Sequence, residues 1–393
     1  MTSSSLHPFV RNRLTWLAYA MLAYIGFSQA ILGPLMPFLR SDFGLNYTQG
    51  GFLPATIAVG LVFSGLIGDW LAHHISRRVL FWSGGIVLAI SVIALSLSRQ
   101  YWLVIISVLG MGFGGSLTQI MIQALLSDQH GEGRAIALTE ANVAASLSAT
   151  FTPFVIGMLQ TTAAGWRAIS MFAVLLLLLL AVPFRHVPIP GSARMRSQST
   201  ADKSHLSVSF WLYWMVLFLV VAAEMTLAVW ATDFLSSVAG LSRTNAVLAF
   251  GSFPAAMLIG RFGGSRLMRR WSSQTLLLAA LGLTLVGFPI FWLSRLAVFN
   301  IFGLFITGLG IANLYPLTLS VAVGLAAGQT NQASARASLG VGAALLTAPL
   351  LLGWLADRFG LQNAYGIFLV FIIAAFVVVV NKAFDWRKRQ ILD

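Results

Sequence analysis

Glu224 is the residue of this sequence whose type and position are most able to do chemistry. It lies about 14 residues, or roughly 21 Å, into a long apolar segment that the sequence predicts to be helical. A carboxyl group at such a depth is costly unless it is protonated, paired or in contact with water. The sequence therefore predicts that Glu224 binds a proton, another ion or substrate. A structural hydrogen bond is the alternative that stays open.

Other polar or aromatic side chains also interrupt apolar segments. Gln119 and Gln123 are four residues apart, so a helix places both on one face. Gln29 lies in another segment at a depth similar to that of Glu224, and Asn313 and Tyr315 lie together in a third. We expect these residues to contact substrate, with Tyr24 and Trp230 as aromatic walls. The alternative, in which the amides only connect helices by hydrogen bonds, stays open.

Several kinds of active site are set aside. The chain has no cysteine, which excludes disulfides, iron–sulfur clusters and thiolate zinc sites. Gly110, Gly112 and Gly115 have dinucleotide-binding spacing but lie inside an apolar segment, which favours helix packing. His73 and His74 stand beside arginines without a second ligand cluster, so no metal site is expected. We predict a protein that is not an enzyme and needs no cofactor, with a proton as a candidate coupling ion.

The composition is that of an integral membrane protein. Hydrophobic residues make up 58% of the 393 residues, charged residues 9%, and the mean hydropathy is +0.86. The net charge of +13 is dispersed in short interruptions between apolar runs, so no nucleic-acid surface is predicted. Met1 to Arg13 lack a signal-peptide pattern, so the first apolar run is expected to be retained.

Twelve apolar segments are long enough to cross a membrane. We predict them at 14–38, 48–72, 79–98, 102–127, 134–160, 166–184, 209–236, 245–268, 274–294, 297–326, 333–356 and 362–382. The longest linker divides the chain into a six-helix bundle at 1–184, a cytoplasmic linker at 185–208 and a second six-helix bundle at 209–393. The predicted fold is all-α.

The basic residues predict the orientation. If the amino end is cytoplasmic, few of the 24 lysines and arginines fall on the outer side, namely Arg40, Arg99, Arg167, Arg243, Arg295 and Arg358. Basic residues concentrate on the cytoplasmic side of membrane proteins, so both termini are expected in the cytoplasm, in the inner (plasma) membrane.

The two halves repeat each other. Pro54 with Gly60 recurs as Pro254 with Gly260, the pair Gly110 and Gly112 as Gly308 and Gly310, and Pro153 with Gly157 as Pro349 with Gly353. Duplicated halves are a common architecture of secondary transporters, which alternate access by rocking one half on the other.

A signature after the second segment supports this interpretation. Gly65, Asp69, Arg77 and Arg78 resemble the motif between the second and third helices of the major facilitator superfamily. Trp70 stands where that motif usually has a basic residue and Ser76 where it has glycine.

The resemblance implies a central cavity lined by helices 1, 4, 7 and 10, which carry the polar residues named above. It also implies a cytoplasmic gate in which Asp69 meets the amino end of helix 11, near Arg336. The acids Asp128, Glu132 and Glu140 are expected to supply partners for Arg77, Arg78 and Arg134 in the same gate.

The predicted function is secondary active transport of a small organic solute by alternating access, with proton coupling at Glu224. We expect a monomer whose partners are a small-molecule substrate and the lipid bilayer. A lipid or amphiphile flippase and a drug exporter on the same fold remain alternatives, as does a receptor that does not transport. Drug–proton antiporters of this superfamily usually have an arginine in helix 4 and a glycine-proline pair in helix 5. Here helix 4 has no arginine and Thr152 precedes Pro153, which weakens the drug-antiporter interpretation.

Overall fold

The computed structural model describes residues 10–191, 206–268, 270–326 and 329–392, with the side chains of 69, 72, 132, 330, 331 and 383–392 left out. These residues form helices and no strand. The α-helices are α1 Arg13–Gln29, α2 Leu32–Phe43, α3 Tyr47–His74, α4 Arg77–Leu97, α5 Tyr101–His130, α6 Arg134–Leu159, α7 Ile169–Phe184, α8 Val208–Ser237, α9 Arg243–Phe250, α10 Ser252–Leu267, α11 Ser273–Leu293, α12 Ala297–Ile311, α13 Leu314–Gly324, α14 Thr330–Phe359, α15 Leu361–Ala364 and α16 Gly366–Leu392.

Twelve helical spans in the described part of the chain are long and apolar enough to cross a membrane. They agree with the twelve predicted segments to within a few residues, and the all-α prediction is confirmed. The largest difference is at the first span, Arg13–Phe43, which continues beyond the predicted end at residue 38. That extension is the last part of helix α2.

In three of the spans that consist of two α-helices, the break has the same cause. The first, eighth and tenth spans break at or beside Ala30, Phe250 and Ala312. A proline follows each of these residues four positions later, namely Pro34, Pro254 and Pro316. Proline has no backbone N–H, so it cannot bond to the carbonyl four residues before it. Each break therefore leaves a backbone carbonyl without its usual partner in the helix.

Polar caps begin several spans. The side chain of Asn12 accepts a hydrogen bond from the Thr15 backbone N–H at 2.9 Å, at the start of α1. Serines do the same at the starts of α4, α8, α9 and α11. Such caps satisfy a backbone donor that has no partner inside the helix, so the sequence fixes where these spans begin.

The residues group by their contacts into two compact units. The first consists of the described parts of Met1–Ala30, Val59–Thr152 and Arg167–Ser197, and the second of Ile31–Ala58, Pro153–Trp166 and the described parts of Gln198–Asp393. The predicted linker lies largely outside the described residues, and the division into sequential bundles at 1–184 and 209–393 stays a prediction.

Glycines allow close helix contacts in each unit. In the first, a Cβ on Gly114 would lie 2.7 Å from the Gly84 carbonyl oxygen, where α5 crosses α4. In the second, a Cβ on Gly303 would lie 2.7 Å from the Ile290 carbonyl carbon, where α12 crosses α11. The contact of Gly114, and the position of Gly110 against the Ser91 side chain of α4, support the packing interpretation of the glycines in α5.

The repeated glycines occupy matching places. A Cβ on Gly60 would meet the Phe113 backbone nitrogen at 2.7 Å, in the contact of the second span with the fourth. A Cβ on Gly260 would meet the Leu309 carbonyl oxygen at 2.9 Å, in the contact of the eighth span with the tenth. The half-chain repeat in the sequence therefore corresponds to equivalent helix contacts.

Candidate functional site

Glu224 lies in the middle part of α8 and is half-buried. Its carboxylate accepts no hydrogen bond from the residues that the structure describes. Its charge acts on two groups of neighbouring spans, the guanidinium of Arg261 in α10 and the phenol of Tyr315 in α13. The predicted residue thus lies in a small polar cluster inside the second unit.

Arg261 belongs to this cluster because of the break in the tenth span. Pro316 cannot bond to the Ala312 carbonyl, and that carbonyl accepts a hydrogen bond from Arg261 Nε at 3.4 Å. Asn313, inside the break, donates from its Nδ2 to the Gly260 carbonyl oxygen at 2.7 Å. The eighth and tenth spans are therefore joined by polar contacts close to the carboxylate of Glu224.

Sequence reasoning placed Arg261 among the cytoplasmic basic residues and missed its relation to Glu224. Two signals could have indicated it. Arg261 stands inside an apolar run, six residues before the end of α10, and Pro316 predicts a free carbonyl on a neighbouring span. Asn313 and Tyr315, by contrast, were predicted as site residues and do lie in this part of the second unit.

The predicted site residues of spans 1 and 4 belong to the first unit. The Gln29 amide packs against Gly115, whose Cβ position is 2.7 Å from Gln29 Nε2. Gln119, one turn beyond Gly115, is half-buried, and Gln123 is exposed. Tyr24 is buried in the unit. The contribution of these four residues to a substrate site stays a prediction.

Trp230 takes part in a cluster of side chains at one end of the second unit. We call the group Arg40, Tyr47, Thr48, Trp230, Asp233 and Asp357 the end cluster. The indole of Trp230 is fully buried, donates to the Pro349 carbonyl oxygen at 3.1 Å, and lies 5.6 Å from the Tyr47 ring. This places Trp230 in a packed contact between helices, and its role as an aromatic wall of a substrate site stays a prediction.

The centre of the end cluster is an ion pair between Arg40 in α2 and Asp233 in α8. Their side chains are 18% and 6% exposed. The Arg40 guanidinium also lies over the ring of Tyr47, 3.4 Å from its centroid, which is a cation–π contact. Neither charge stands out in the sequence as a site residue, because each lies within a few residues of a helix end.

Asp357, near the end of α14, caps the start of α3. Its carboxylate accepts hydrogen bonds from the backbone N–H groups of Tyr47 at 2.8 Å and Thr48 at 2.7 Å, and from the Thr48 hydroxyl at 2.6 Å. A negative charge at a helix amino end is favoured by the free N–H groups and by the helix dipole. The ends of the second and eleventh spans are held together here.

One predicted gating pair is present in the first unit. Arg77 Nη1 donates to Asp128 Oδ2 at 2.5 Å, and the arginine is buried. Arg78 donates to the carbonyl oxygen of Arg185 at 2.5 Å. The pairing of Arg77 with Asp128 agrees with the expectation, and its role in gating stays a prediction.

The expected partners of Glu140 were wrong. Its carboxylate binds Arg11, with Nε at 2.8 Å and Nη2 at 2.5 Å, and accepts from the Tyr19 hydroxyl at 2.9 Å. Glu140 lies six residues into α6, which places it opposite the start of α1 and not beside Arg77, Arg78 or Arg134. The hydrogen bond with Glu140 raises the pKa of the Arg11 guanidinium.

The remaining gating predictions are not resolved by these contacts. The side chain of Asp69 lies outside what the structure describes. Gly65 has no atom within 4 Å of its Cβ position. Arg336 is exposed, and its backbone carbonyl accepts from Trp214 Nε1 at 2.7 Å. The meeting of Asp69 with the helix that carries Arg336 stays a prediction.

Comparisons with known proteins agree on one family. The family model described as Major Facilitator Superfamily matches residues 18–329. A glucose/galactose transporter of Brucella abortus is 26% identical over 390 residues, covering 93% of this chain and 92% of the relative. The cyanate transport protein CynX of Escherichia coli is 24% identical over 307 residues, covering 74% of this chain and 76% of the relative.

A solved structure has the same fold. It is a bacterial homologue of the human lysosomal transporter Spinster, in an inward-facing, occupied conformation, with a TM-score of 0.77 and 14% identity. The alignment covers 94% of this chain and 96% of that one.

Proposed function

Because the chain belongs to the major facilitator superfamily, we propose that it moves a small organic solute by alternating access, with proton coupling at Glu224. The broader statement follows from the family match and the relatives: the chain is a multi-pass membrane protein and a secondary transporter. The solute, the coupling ion and the residues that carry them are the parts that we propose.

The observation that carries the proposal is the environment of Glu224. A carboxylate inside a membrane span, without a hydrogen bond from the described residues, favours the protonated form unless a cation or water stabilises the charge. Arg261 supplies a positive charge from the next span. Any motion that moves Arg261 relative to Glu224 changes the proton affinity of the carboxylate, which is the physical requirement for coupling proton binding to transport.

The end cluster supports alternating access. With the amino end in the cytoplasm, as the basic residues predict, the ends of spans 1, 2, 7 and 11 that meet in this cluster face outward. We propose that Arg40, Asp233 and Asp357 form an outer gate. Polar and charged contacts suit a gate because water can replace their hydrogen bonds when the contact opens, which a purely apolar contact does not allow.

The relatives supply the first solutes to test. One is a cyanate transport protein and another a glucose/galactose transporter. Both names refer to small polar molecules, one an anion and the others neutral sugars. We propose a substrate within this size range.

The experiment uses the purified chain in proteoliposomes with an imposed pH gradient, acidic outside. Uptake of labelled cyanate, glucose and galactose is measured against liposomes without protein. The proposal predicts accumulation of at least one solute, and collapse of that accumulation when a protonophore removes the gradient. Equal uptake with and without the gradient would favour a facilitator. Movement of a fluorescent lipid between leaflets, without solute uptake, would favour the flippase.

A further inference from the structure

A pocket lies in the second unit, and its lining includes Gly260 and Asn313, which form the hydrogen bond described beside Glu224. It is a cavity of about 300 Å³ between α10, α11 and the junction of α12 with α13. Of its thirteen lining residues, twelve are apolar or glycine, and Asn313 is the single polar one. Ile259, Gly263, Leu276, Leu283 and Leu317 are representative. Such a lining suits a hydrocarbon chain and offers little to a polar solute.

The cavity opens on the apolar exterior of the spans. Ile259 and Leu283, on two of its walls, are 55% and 40% exposed. Leu267 and Met268, at the end of the cavity, are also exposed. Residues of this kind on a membrane span face lipid and not water. The molecules that reach the cavity most readily are therefore those of the bilayer.

A positive charge without a matching acid lies at one end of the cavity. Arg266 immediately precedes the lining residue Leu267, and Arg270 lies in the short connection between α10 and α11. Both are exposed, and no ion pair with either is formed by the described side chains. From residue 234 to residue 356 the sequence contains no aspartate or glutamate. The chain thus supplies no acid in this segment to neutralise these arginines.

We propose that this cavity binds one acyl chain of an anionic phospholipid, with the phosphate held by Arg266 and Arg270. The arginines stand where two spans end, which is the level of the lipid headgroups, and Trp271 beside them is a residue type enriched at that level. Guanidinium groups bind phosphate oxygens through two N–H donors at once. The apolar cavity and the basic end therefore match the two parts of a single lipid molecule.

The occupant follows from the combination of features. Free phosphate would use the arginines but not the apolar walls, and a neutral lipid would use the walls but not the arginines. The proposal does not depend on Glu224 or on the identity of the transported solute. It concerns a lipid that stays bound while the protein works.

Lipid that co-purifies with the protein tests the proposal. Purified protein is equilibrated with dodecyl maltoside micelles that contain equal amounts of phosphatidylglycerol and phosphatidylcholine, and the lipid that remains bound after gel filtration is quantified by mass spectrometry. The wild type should be enriched in phosphatidylglycerol. Arg270→Gln should lower this enrichment about fivefold, the contribution of one arginine near an anionic surface. Arg295→Gln, in an exposed connection elsewhere, should leave it unchanged.

Two glycines provide a matched pair for the cavity. Gly263 lines it and has no atom within 4 Å of its Cβ position, so a side chain can begin there without a clash, and Gly263→Leu is designed to occupy part of the cavity. Gly282 in α11 has equally open space but does not line the cavity, so Gly282→Leu is the control. We expect Gly263→Leu to lose the bound phosphatidylglycerol and Gly282→Leu to keep it.

The proposal is overturned by any of three results: equal binding of both lipids to the wild type, unchanged phosphatidylglycerol on Gly263→Leu, or displacement of the lipid by millimolar inorganic phosphate. The last result would mean that the arginines bind only an anion. Because both glycine variants keep the helix and add a better helix former, a loss of binding with an unchanged melting temperature is attributable to the cavity.

Discussion

Arg40 and Asp233 show how two single residues can determine whether the ends of spans hold together. Both charges are largely removed from water, and each is compensated mainly by the other. Breaking such a pair by removing one partner leaves an uncompensated buried charge, at a cost of about 3 to 5 kcal/mol. Replacing both partners removes the charge altogether and costs less.

We therefore predict that Arg40→Met lowers the melting temperature of the purified protein more than the double variant Arg40→Met with Asp233→Asn. Arg295→Met, an exposed arginine of another connection, is the control and should have little effect. If the single and double variants melt at the same temperature, the ion pair does not stabilise this end of the molecule, and the cation–π contact with Tyr47 would be its main contribution.

Single residues were also where sequence reasoning was least complete. Glu224 could be selected because an acid inside an apolar run is unusual. The partners of charged residues near helix ends could not be selected from the sequence, because several arginines were within reach of each acid. For this reason the ion pair of Glu140 with Arg11, in place of the expected arginines, was not predicted. The relation of Arg261 to Glu224 depends on which faces of two helices meet, and spacing within one segment does not determine that.

At the level of helices, the break in the tenth span connects a proline to the polar cluster. Pro316 leaves the Ala312 carbonyl free, and Arg261 binds it. Pro316→Ala would restore the backbone donor, so the helix could close its own hydrogen bond and compete with Arg261 for the carbonyl. We predict an equal or higher melting temperature together with slower transport.

The measurement is thermal unfolding of the purified variant beside solute uptake in proteoliposomes. Pro289→Ala, in the interior of α11, is the control for the general effect of removing a proline from a span. Unchanged uptake by Pro316→Ala at a normal melting temperature would show that the break has no part in transport.

A second element, the amino end of α3, depends on a residue of α14. Asp357 satisfies two backbone N–H groups there that have no partner within α3. Removing a capping side chain costs about 1 kcal/mol. We predict that Asp357→Ala lowers the melting temperature by an amount that corresponds to this cost, and that Asp357→Asn, which keeps an acceptor but loses the charge, lowers it less.

If Asp357→Ala and Asp357→Asn are both as stable as the wild type, the cap contributes nothing to stability. Asp42→Asn is the comparison variant, because it removes another negative charge near this helix end and keeps an acceptor for the Trp166 Nε1 donor. The existence of the helices followed from hydropathy. The cap at Tyr47 could not be predicted, because its acceptor is about three hundred residues away in the sequence.

For the whole molecule, the number of spans was the most predictable property, since each is a separate run of apolar residues long enough for the bilayer. The grouping of residues 31–58 and 153–166 with the second unit was not predictable. Local hydropathy identifies what crosses the membrane but contains no information on which helix ends pack together. The orientation of the chain is a prediction from the basic residues alone.

Orientation can be tested in a chain that has no native cysteine. A cysteine at Ser199 should be inaccessible to a membrane-impermeant thiol reagent in intact cells, since the predicted linker is cytoplasmic. A cysteine at Arg295 should be labelled from outside. Labelling of both positions in intact cells would refute the assignment of both termini to the cytoplasm.

Proton coupling at Glu224 is tested by an assay that separates solute exchange from solute accumulation. Glu224→Gln imitates the protonated acid, so the protein can still change sides with solute bound but cannot release a proton. In proteoliposomes it should retain exchange of the solute identified in the uptake assay and lose accumulation under a pH gradient. Asp42→Asn, the control, should keep both. If Glu224→Gln accumulates solute under the gradient as the wild type does, Glu224 is not the coupling residue.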